Sequence, residues 1–163
     1  MNSFVNFFQD IIQNPLFLSA GASWLVAQGS KTIYEGVKNG FSLKRAAGGG
    51  GMPSAHSATM TGLVGGALLS GSAKSPEFAV ALFLAMVVIY DAMGVRHTTG
   101  VQSKILNAYR RRDLEEGRQP LFDEELDEKM GHTLPEVIVG ILIGAVMAAV
   151  MCLAVYPWIL ELF

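Results

Sequence analysis

The chain has 163 residues, of which 51% are hydrophobic and 16% are charged. Because an average soluble protein carries about 25% charged residues, this composition excludes an ordinary soluble domain and favours a small integral membrane protein. A formal net charge of −2 gives no reason to expect a nucleic-acid partner. Cys152 is the single cysteine, so a disulfide within the chain is excluded.

The apolar segments predict an all-α fold, in which one membrane domain over residues 1–163 forms a small helical bundle with about four membrane helices. Residues 1–15 precede the bundle, and their phenylalanines and isoleucines recur at helical spacing, which predicts an interfacial helix. The first membrane helix starts at Leu16 and continues past Lys31. The others are predicted over Pro53 to Ser70, Pro76 to Met93 and Pro135 to Tyr156.

Residues 96–131 are rich in charge and predict a cytoplasmic connection between the last two spans. Within it, Val101 to Arg112 is predicted to extend the third helix out of the membrane, and Asp123 to Met130 to form a short acidic helix. The cluster Arg110 to Arg112 is interpreted as a contact with anionic lipid head groups. With four crossings, every Lys and Arg except Lys74 falls on one side, which the positive-inside rule assigns to the cytoplasm.

The run Gly48 to Gly51 leads into Met52-Pro53-Ser54-Ala55-His56-Ser57. Pro is typical of the first turn of a helix, and the free N–H groups of such a turn favour an anion. This stretch therefore predicts a phosphate site with His56 placed to exchange a proton. Ser57 is interpreted as a residue that satisfies the helix start, whereas Ser54 fits a cap and a phosphate ligand equally well.

Four further residues are candidates because the topology brings them to the same membrane face as His56. His132 and Glu136 are four residues apart and share a helix face, so the carboxylate can fix one ring nitrogen and leave the other free as a nucleophile or base. Arg96 offers a fork suited to phosphate oxygens. Lys31 ends the first span at the same face.

Asp91 lies near the end of an otherwise apolar span, where an unpaired carboxylate is costly. Arg96 and Lys31 are its candidate partners, so Asp91 is predicted to support the site. A metal site made of Asp91, His56, His132 and Glu136 is a second interpretation, although their spacing matches no recognised metal motif.

Three strings carry a resemblance to a known superfamily. These are Gly50 to Ser57, Tyr90 to Arg96, and Gly131 to Val137, in that order along the chain. They resemble the phosphatidic acid phosphatase type 2 / vanadium haloperoxidase superfamily. The closest likeness is to its divergent bacterial and plant branch, called acid phosphatase/vanadium-dependent haloperoxidase-related.

This resemblance implies a membrane-embedded hydrolase that acts on a lipid or polyprenyl phosphate or pyrophosphate without a metal or other cofactor. His132 would be the nucleophile that forms a phosphohistidine, Glu136 would orient it, and His56 would protonate the leaving oxygen. Ser54, Lys31 and Arg96 would hold the phosphate. The expected location is the cell membrane, in a multi-pass arrangement, with the site at the cytoplasmic face.

The chain also departs from the superfamily pattern. The superfamily's arginine lies six residues before the nucleophilic histidine, where this chain has Leu126. Lys38 and Arg45 keep the spacing of the first motif, but Ala46 replaces its proline. A non-catalytic binder or transporter of anionic lipid head groups therefore stays open as an alternative. The glycines of the second span also leave room for a homodimer.

Overall fold

The computed structural model describes residues 2–40 and 50–162. Arg45, Ala46, Gly48 and Gly49 lie outside the described residues, as does the side chain of Lys38. All regular structure in the described part is helical, which confirms the all-α prediction. The helices are α1 (Asn2–Ile12), α2 (Pro15–Asn39), α3 (Ala55–Ser70), α4 (Pro76–Met93), α5 (Val95–Glu115), α6 (Leu134–Val150) and α7 (Tyr156–Leu160), with a π-helical turn, Met151–Val155, between the last two.

The core of the bundle forms where α3 packs against α2 and α6, and α4 covers another side of α3. Small residues face one another at these contacts, including Ser19, Ser23, Ala58, Gly62 and Gly144. Because they have little or no side chain, the helix backbones approach closely, as is usual when membrane helices associate. The close approach fixes where the first turn of α3 lies relative to the first turn of α6, and both turns carry candidate site residues.

Gly144 on α6 illustrates how tight this packing is. A Cβ atom at this position would lie 2.7 Å from the Cβ of Thr61 and 3.0 Å from the backbone N of Gly62. We expect Gly144→Val to destabilise the protein by about 1–3 kcal/mol, because the added methyl groups overpack the α3–α6 contact. Thermal unfolding in detergent measures the loss.

Gly21→Ala on α2 is the matched control, because a Cβ there meets no atom within 4 Å. We expect this variant to unfold at the wild-type temperature or above. A Gly144→Val protein as stable as wild type would contradict the close α3–α6 packing.

Within the described part of the chain, two helical stretches are both long and apolar enough to cross a membrane, Pro76–Glu115 and Leu134–Leu160. They include the predicted third and fourth spans. Helix α2 continues well past Lys31, as predicted, and α1 is helical, although its interfacial position stays a prediction. The count of four spans also stays a prediction, because α2 and α3 carry more polar and small residues than the other two stretches.

Backbone hydrogen bonds continue from α4 through Gly94 into α5, because the Gly94 N–H donates to the Tyr90 carbonyl and the Thr98 N–H donates to the Gly94 carbonyl. The helical extension over Val101 to Arg112 is therefore confirmed, and its position outside the membrane stays a prediction. The predicted acidic helix over Asp123 to Met130 is wrong, because residues 118–133 contain no regular helix. Residues 116–133 instead run back along α5, and we call them the return segment. The side chain of Asn107 binds both the N–H and the carbonyl of Leu126, each at 2.9 Å. Asn107 on α5 thus satisfies the backbone N–H and carbonyl of Leu126, which would otherwise pair within the segment if it were helical.

Two members of the arginine cluster hold the return segment. Arg110 donates to the carbonyls of Phe122 and Asp123, and Arg111 pairs with the Glu125 carboxylate at 2.8 Å. Arg110 and Arg111 thus have partners within the chain, and the interpretation of this cluster as a lipid contact stays a prediction. The result is a return path that brings residues 131–133 back to the end of α4.

Candidate active site

The first turn of α3 differs from its prediction in one respect. The helix begins at Ala55, so Pro53 precedes the cap instead of lying in the first turn. Ser54 is the N-cap, and its buried Oγ accepts bonds from the N–H of Ser57 at 3.3 Å and from the Ser57 hydroxyl at 3.0 Å. Both serines are therefore used in capping. The backbone N–H of Ser54 donates to the carbonyl of Glu136 at 3.0 Å and ties the two motifs together.

The return segment delivers His132 to the same place. Its backbone N–H donates to the carbonyl of Ala92 at the end of α4, at 2.9 Å. Gly131 directly before it has a φ of 76°, a conformation that favours glycine. A Cβ on Gly131 would also lie 2.5 Å from the Cα of His97. The backbone of His132 is thus fixed against the junction between α4 and α5, next to Arg96.

The His132 ring is held by Glu136, as the four-residue spacing predicts. The ring is 3% exposed, and its Nδ1 lies 3.3 Å from Oε2 of Glu136. The same oxygen accepts the Thr133 N–H at 3.0 Å, as part of a capping box at the start of α6. Because the carboxylate is held by the helix cap, it fixes the orientation of the ring and favours the tautomer with a proton on Nδ1.

The two histidines of the predicted site lie side by side. Their ring centroids are 5.8 Å apart, with an angle of 60° between the ring planes. Nδ1 of His56 and Nε2 of His132 are both buried, and neither has a hydrogen-bond partner among the described residues. Since buried polar atoms are usually paired, two such nitrogens on neighbouring rings indicate a position for a polar ligand.

Burial sets the charge state of His132, which precedes the first turn of α6. Desolvation lowers the pKa of His132, and it outweighs the Glu136 carboxylate and the Gly51 backbone, which favour the protonated form. The ring is therefore neutral at pH 7, where an unperturbed histidine would already be largely neutral. A neutral Nε2 carries the lone pair that a nucleophile or base needs.

Two cations lie within electrostatic range of the paired rings. The charges of Lys31 and Arg96 act on His56, and Lys31 also acts on His132. Lys31 is 5% exposed, and its charge is also felt by Glu35 and Glu136. A lysine and an arginine whose charges act on these imidazoles make an environment suited to a phosphate group.

Arg96 is oriented by Asp91, one of the two partners expected for this carboxylate. The Nε of Arg96 lies 2.8 Å from Oδ2 of Asp91, and both side chains are about half exposed. The contact uses Nε and not the two terminal nitrogens of the guanidinium. Asp91 thus supports the site through Arg96, whose terminal nitrogens carry the donors suited to oxyanions.

Asn107 is the structural residue that the sequence analysis missed. Its amide is fully buried, and besides holding Leu126 it donates to the Glu128 carboxylate at 2.9 Å. Asn107 lies eleven residues beyond Arg96, about 16 Å along α5. Leu126 is therefore anchored far from the paired histidines, and an arginine at this position would point into another part of the molecule. The only sequence signal was a polar residue at a helical position facing charged neighbours.

The predicted metal alternative gains no support from the geometry. Across residues 2–40 and 50–162, no three His, Cys, Asp or Glu side chains are arranged to hold a metal ion. Asp91 is paired with Arg96, and Glu136 is used by the cap and by His132. The side chains that surround the two rings are better suited to an anion than to a cation.

The fold and these contacts define a class: a helical membrane protein in which two motifs of the phosphatidic acid phosphatase type 2 kind meet in one site. The chain matches the model of the Divergent PAP2 family over residues 12–147, and it belongs to that family. This finding confirms the resemblance drawn from the three strings.

One curated relative is the "Uncharacterized membrane protein YuiD" of Bacillus subtilis (strain 168), 43% identical over 58 residues. The match covers 36% of this chain and 37% of the relative. The chain thus spans well under half the length of the curated relative that it matches. No solved structure matches the chain. Family membership and the relative's description agree with the apolar helices in making this a PAP2-like membrane protein.

Proposed function

We propose that the protein is a membrane-embedded phosphatase that hydrolyses a lipid or polyprenyl phosphate or pyrophosphate. One observation carries this proposal: buried nitrogens of two neighbouring histidines lack hydrogen-bond partners among the described residues, and a lysine and an arginine act on the same rings. Hydrogen bonds of about 2.8 Å from both rings can reach one phosphate group between them. The distribution of basic residues favours the cytoplasmic face for this site in a multi-pass protein.

The geometry supports a two-step reaction. Nε2 of His132 attacks phosphorus in line, the bond to the ester oxygen breaks, and protonated His56 gives its proton to that oxygen. In the second step, water attacks the phosphohistidine while His56 takes up the proton of the water, which releases phosphate and restores both rings. Lys31 and Arg96 stabilise the charge on the phosphoryl oxygens, and Glu136 stabilises the positive charge that develops on His132.

The direct test is phosphate release by purified protein in lipid–detergent micelles. Phosphatidic acid and undecaprenyl pyrophosphate are the first substrates, followed by p-nitrophenyl phosphate, whose leaving oxygen needs no proton. We expect His56→Ala to lower the rate on phosphatidic acid by about 10²–10⁴-fold, the usual contribution of a general acid. The same variant should keep most of its rate of forming phosphohistidine from p-nitrophenyl phosphate.

The comparison between leaving groups separates a general acid from a structural role of His56. A variant that is merely misfolded loses activity on both substrates alike, and thermal unfolding would then show the same loss. Equal losses in the rate of phosphohistidine formation from the two substrates, in a stable variant, would contradict the assignment of His56 as the acid.

A second candidate function is the binding or transport of anionic lipid head groups without hydrolysis. Two observations favour it. Leu126 stands at the position where the superfamily has its phosphate-binding arginine, and the guanidinium of Arg96 is paired with the Asp91 carboxylate. Binding of phosphatidic acid that survives in His132→Ala but is lost in Arg96→Ala, with no phosphate released by wild type, would support this candidate over the phosphatase.

A further inference from the structure

An apolar groove runs along the contact between α3 and α4. It has a volume of about 660 Å³ and is open along one side. Apolar side chains line most of it, with Thr61 and Tyr90 as the polar members; the principal apolar ones are Val64, Leu82, Met86 and Ile89. The volume falls in the range of ligand-binding pockets, which is roughly 300–1,000 Å³.

The groove leads to the paired histidines. Its lining ends at Met93 and Gly94 on α4, two residues before Arg96. Ala92 in the same turn binds the backbone N–H of His132, and Asp91 there orients Arg96. On the facing helix, Thr61 follows His56 by about one and a half turns. One end of the groove therefore lies beside the Arg96–Asp91 pair and the paired histidines, and the remainder is apolar.

The length of the groove matches a particular occupant. From Leu82 to Gly94 it covers twelve helical steps, or about 18 Å, which is close to half of a hydrocarbon core of about 30 Å. A lipid of the same leaflet has its phosphate at the membrane face and its acyl chain over this depth. A phosphate at Arg96 would thus have its hydrocarbon chain beside Ile89 and Met86.

We propose that the α3–α4 groove binds one acyl chain of the substrate, so that the protein selects a lipid phosphate with chains of about one leaflet's length. This inference rests on the proposed function for its head-group site. It goes beyond that function by naming the surface that recognises the chain and by favouring an acyl lipid over a longer polyprenyl phosphate.

The first test fills the groove. We expect Ile89→Trp to raise KM for dipalmitoyl phosphatidic acid at least about tenfold, because blocking the groove removes several buried methylene groups from the complex. The KM for dihexanoyl phosphatidic acid should change much less, as should kcat. Val87→Trp is the matched control, since Val87 lies on α4, is exposed and does not line the groove. Equal KM changes for the two lipids, or for the two variants, would overturn the proposal.

The second test does not depend on turnover. A phosphatidic acid with a diazirine in the middle of one acyl chain is photolysed with the full-length protein in phosphatidylcholine vesicles, and the labelled residues are mapped. We expect labels at Val64, Met86 and Ile89 that are reduced severalfold in Arg96→Ala. The same labelling from diazirine phosphatidylcholine, or equal labelling of Val80 and Val87 on the outer side of α4, would overturn the proposal.

Together the two tests separate failure of the groove from failure of the phosphatase. Selective labelling without phosphate release retains the groove and rejects the enzyme. Phosphate release with no dependence on chain length, and with wild-type kinetics in Ile89→Trp, retains the enzyme and rejects the groove.

Discussion

Replacing His132 by alanine is expected to abolish phosphate release, with a fall in kcat of at least about 10³-fold, because the nucleophile of the covalent step is removed. The structure gives this residue the features that the step requires. Its Nδ1 faces the Glu136 carboxylate, its Nε2 is buried with no partner in the described part of the chain, and its ring adjoins His56.

A covalent readout makes this prediction specific. Wild-type protein mixed briefly with ³²P-labelled phosphatidic acid and quenched in alkali should carry a label that acid removes, as a phosphohistidine does. The His132→Ala protein should carry none. His97→Ala is the matched control, because this histidine is exposed, lies near the start of α5, and has no part in the proposed reaction. Retained label in His132→Ala would reject the proposed nucleophile.

The parts of the site that the sequence predicted are those governed by local spacing. His132 and Glu136 meet because four residues make about one helical turn, and the Thr133–Glu136 cap reinforces that turn. The approach of His56 to His132 was predicted from the order of the membrane segments, since helices that begin at one membrane face bring their first turns together. Helix α2 could also be traced past Lys31 from its pattern.

The return segment could not be predicted in this way, because its conformation is decided by residues distant in the sequence. Acidic residues over 123–130 fit a short helix locally, but Asn107 and Arg110 offer the backbone of this stretch better fixed partners. Burial of the Asn107 amide then requires those bonds, since an unsatisfied amide is costly. Nothing in the local sequence signals that a polar residue of α5 will be covered by residues 126–128.

The same segment explains why the site departs from the superfamily pattern. Leu126 and His132 are six residues apart, and an extended chain of that length spans at most about 20 Å. Because Asn107 holds Leu126 far along α5, most of that span lies between Leu126 and the paired histidines. A side chain six residues before the histidine cannot contribute here, and the arginine near the paired rings comes from the junction of α4 and α5 instead. Asp91 orients it from the preceding turn.

The second large effect is expected for Glu136→Gln, which keeps the shape of the side chain but removes its charge. A glutamine oxygen can still accept from Thr133 and from Nδ1 of His132, so the cap and the ring orientation should persist. The loss is the negative charge that stabilises His132 as it becomes cationic in the phosphohistidine step. We expect kcat to fall about 10²–10³-fold, the size of a missing electrostatic contact in an active site, with an unchanged unfolding temperature.

The pH dependence of the rate distinguishes an electrostatic action of Glu136 on His132 from a purely structural role of its side chain. Burial lowers the pKa of His132, so in wild type the rate of phosphohistidine formation from p-nitrophenyl phosphate, whose leaving oxygen needs no proton from His56, should rise with pH through a value below about 6.5 and then level off as the His132 ring becomes neutral. Glu136 favours the protonated ring, so its replacement lowers that pKa further and should move the acid limb to lower pH. Glu125→Gln, in an exposed pair with Arg111, is the matched control and should change neither kcat nor the limb. A limb that stays in place, or moves to higher pH, in Glu136→Gln would show that the carboxylate does not act on the nucleophile.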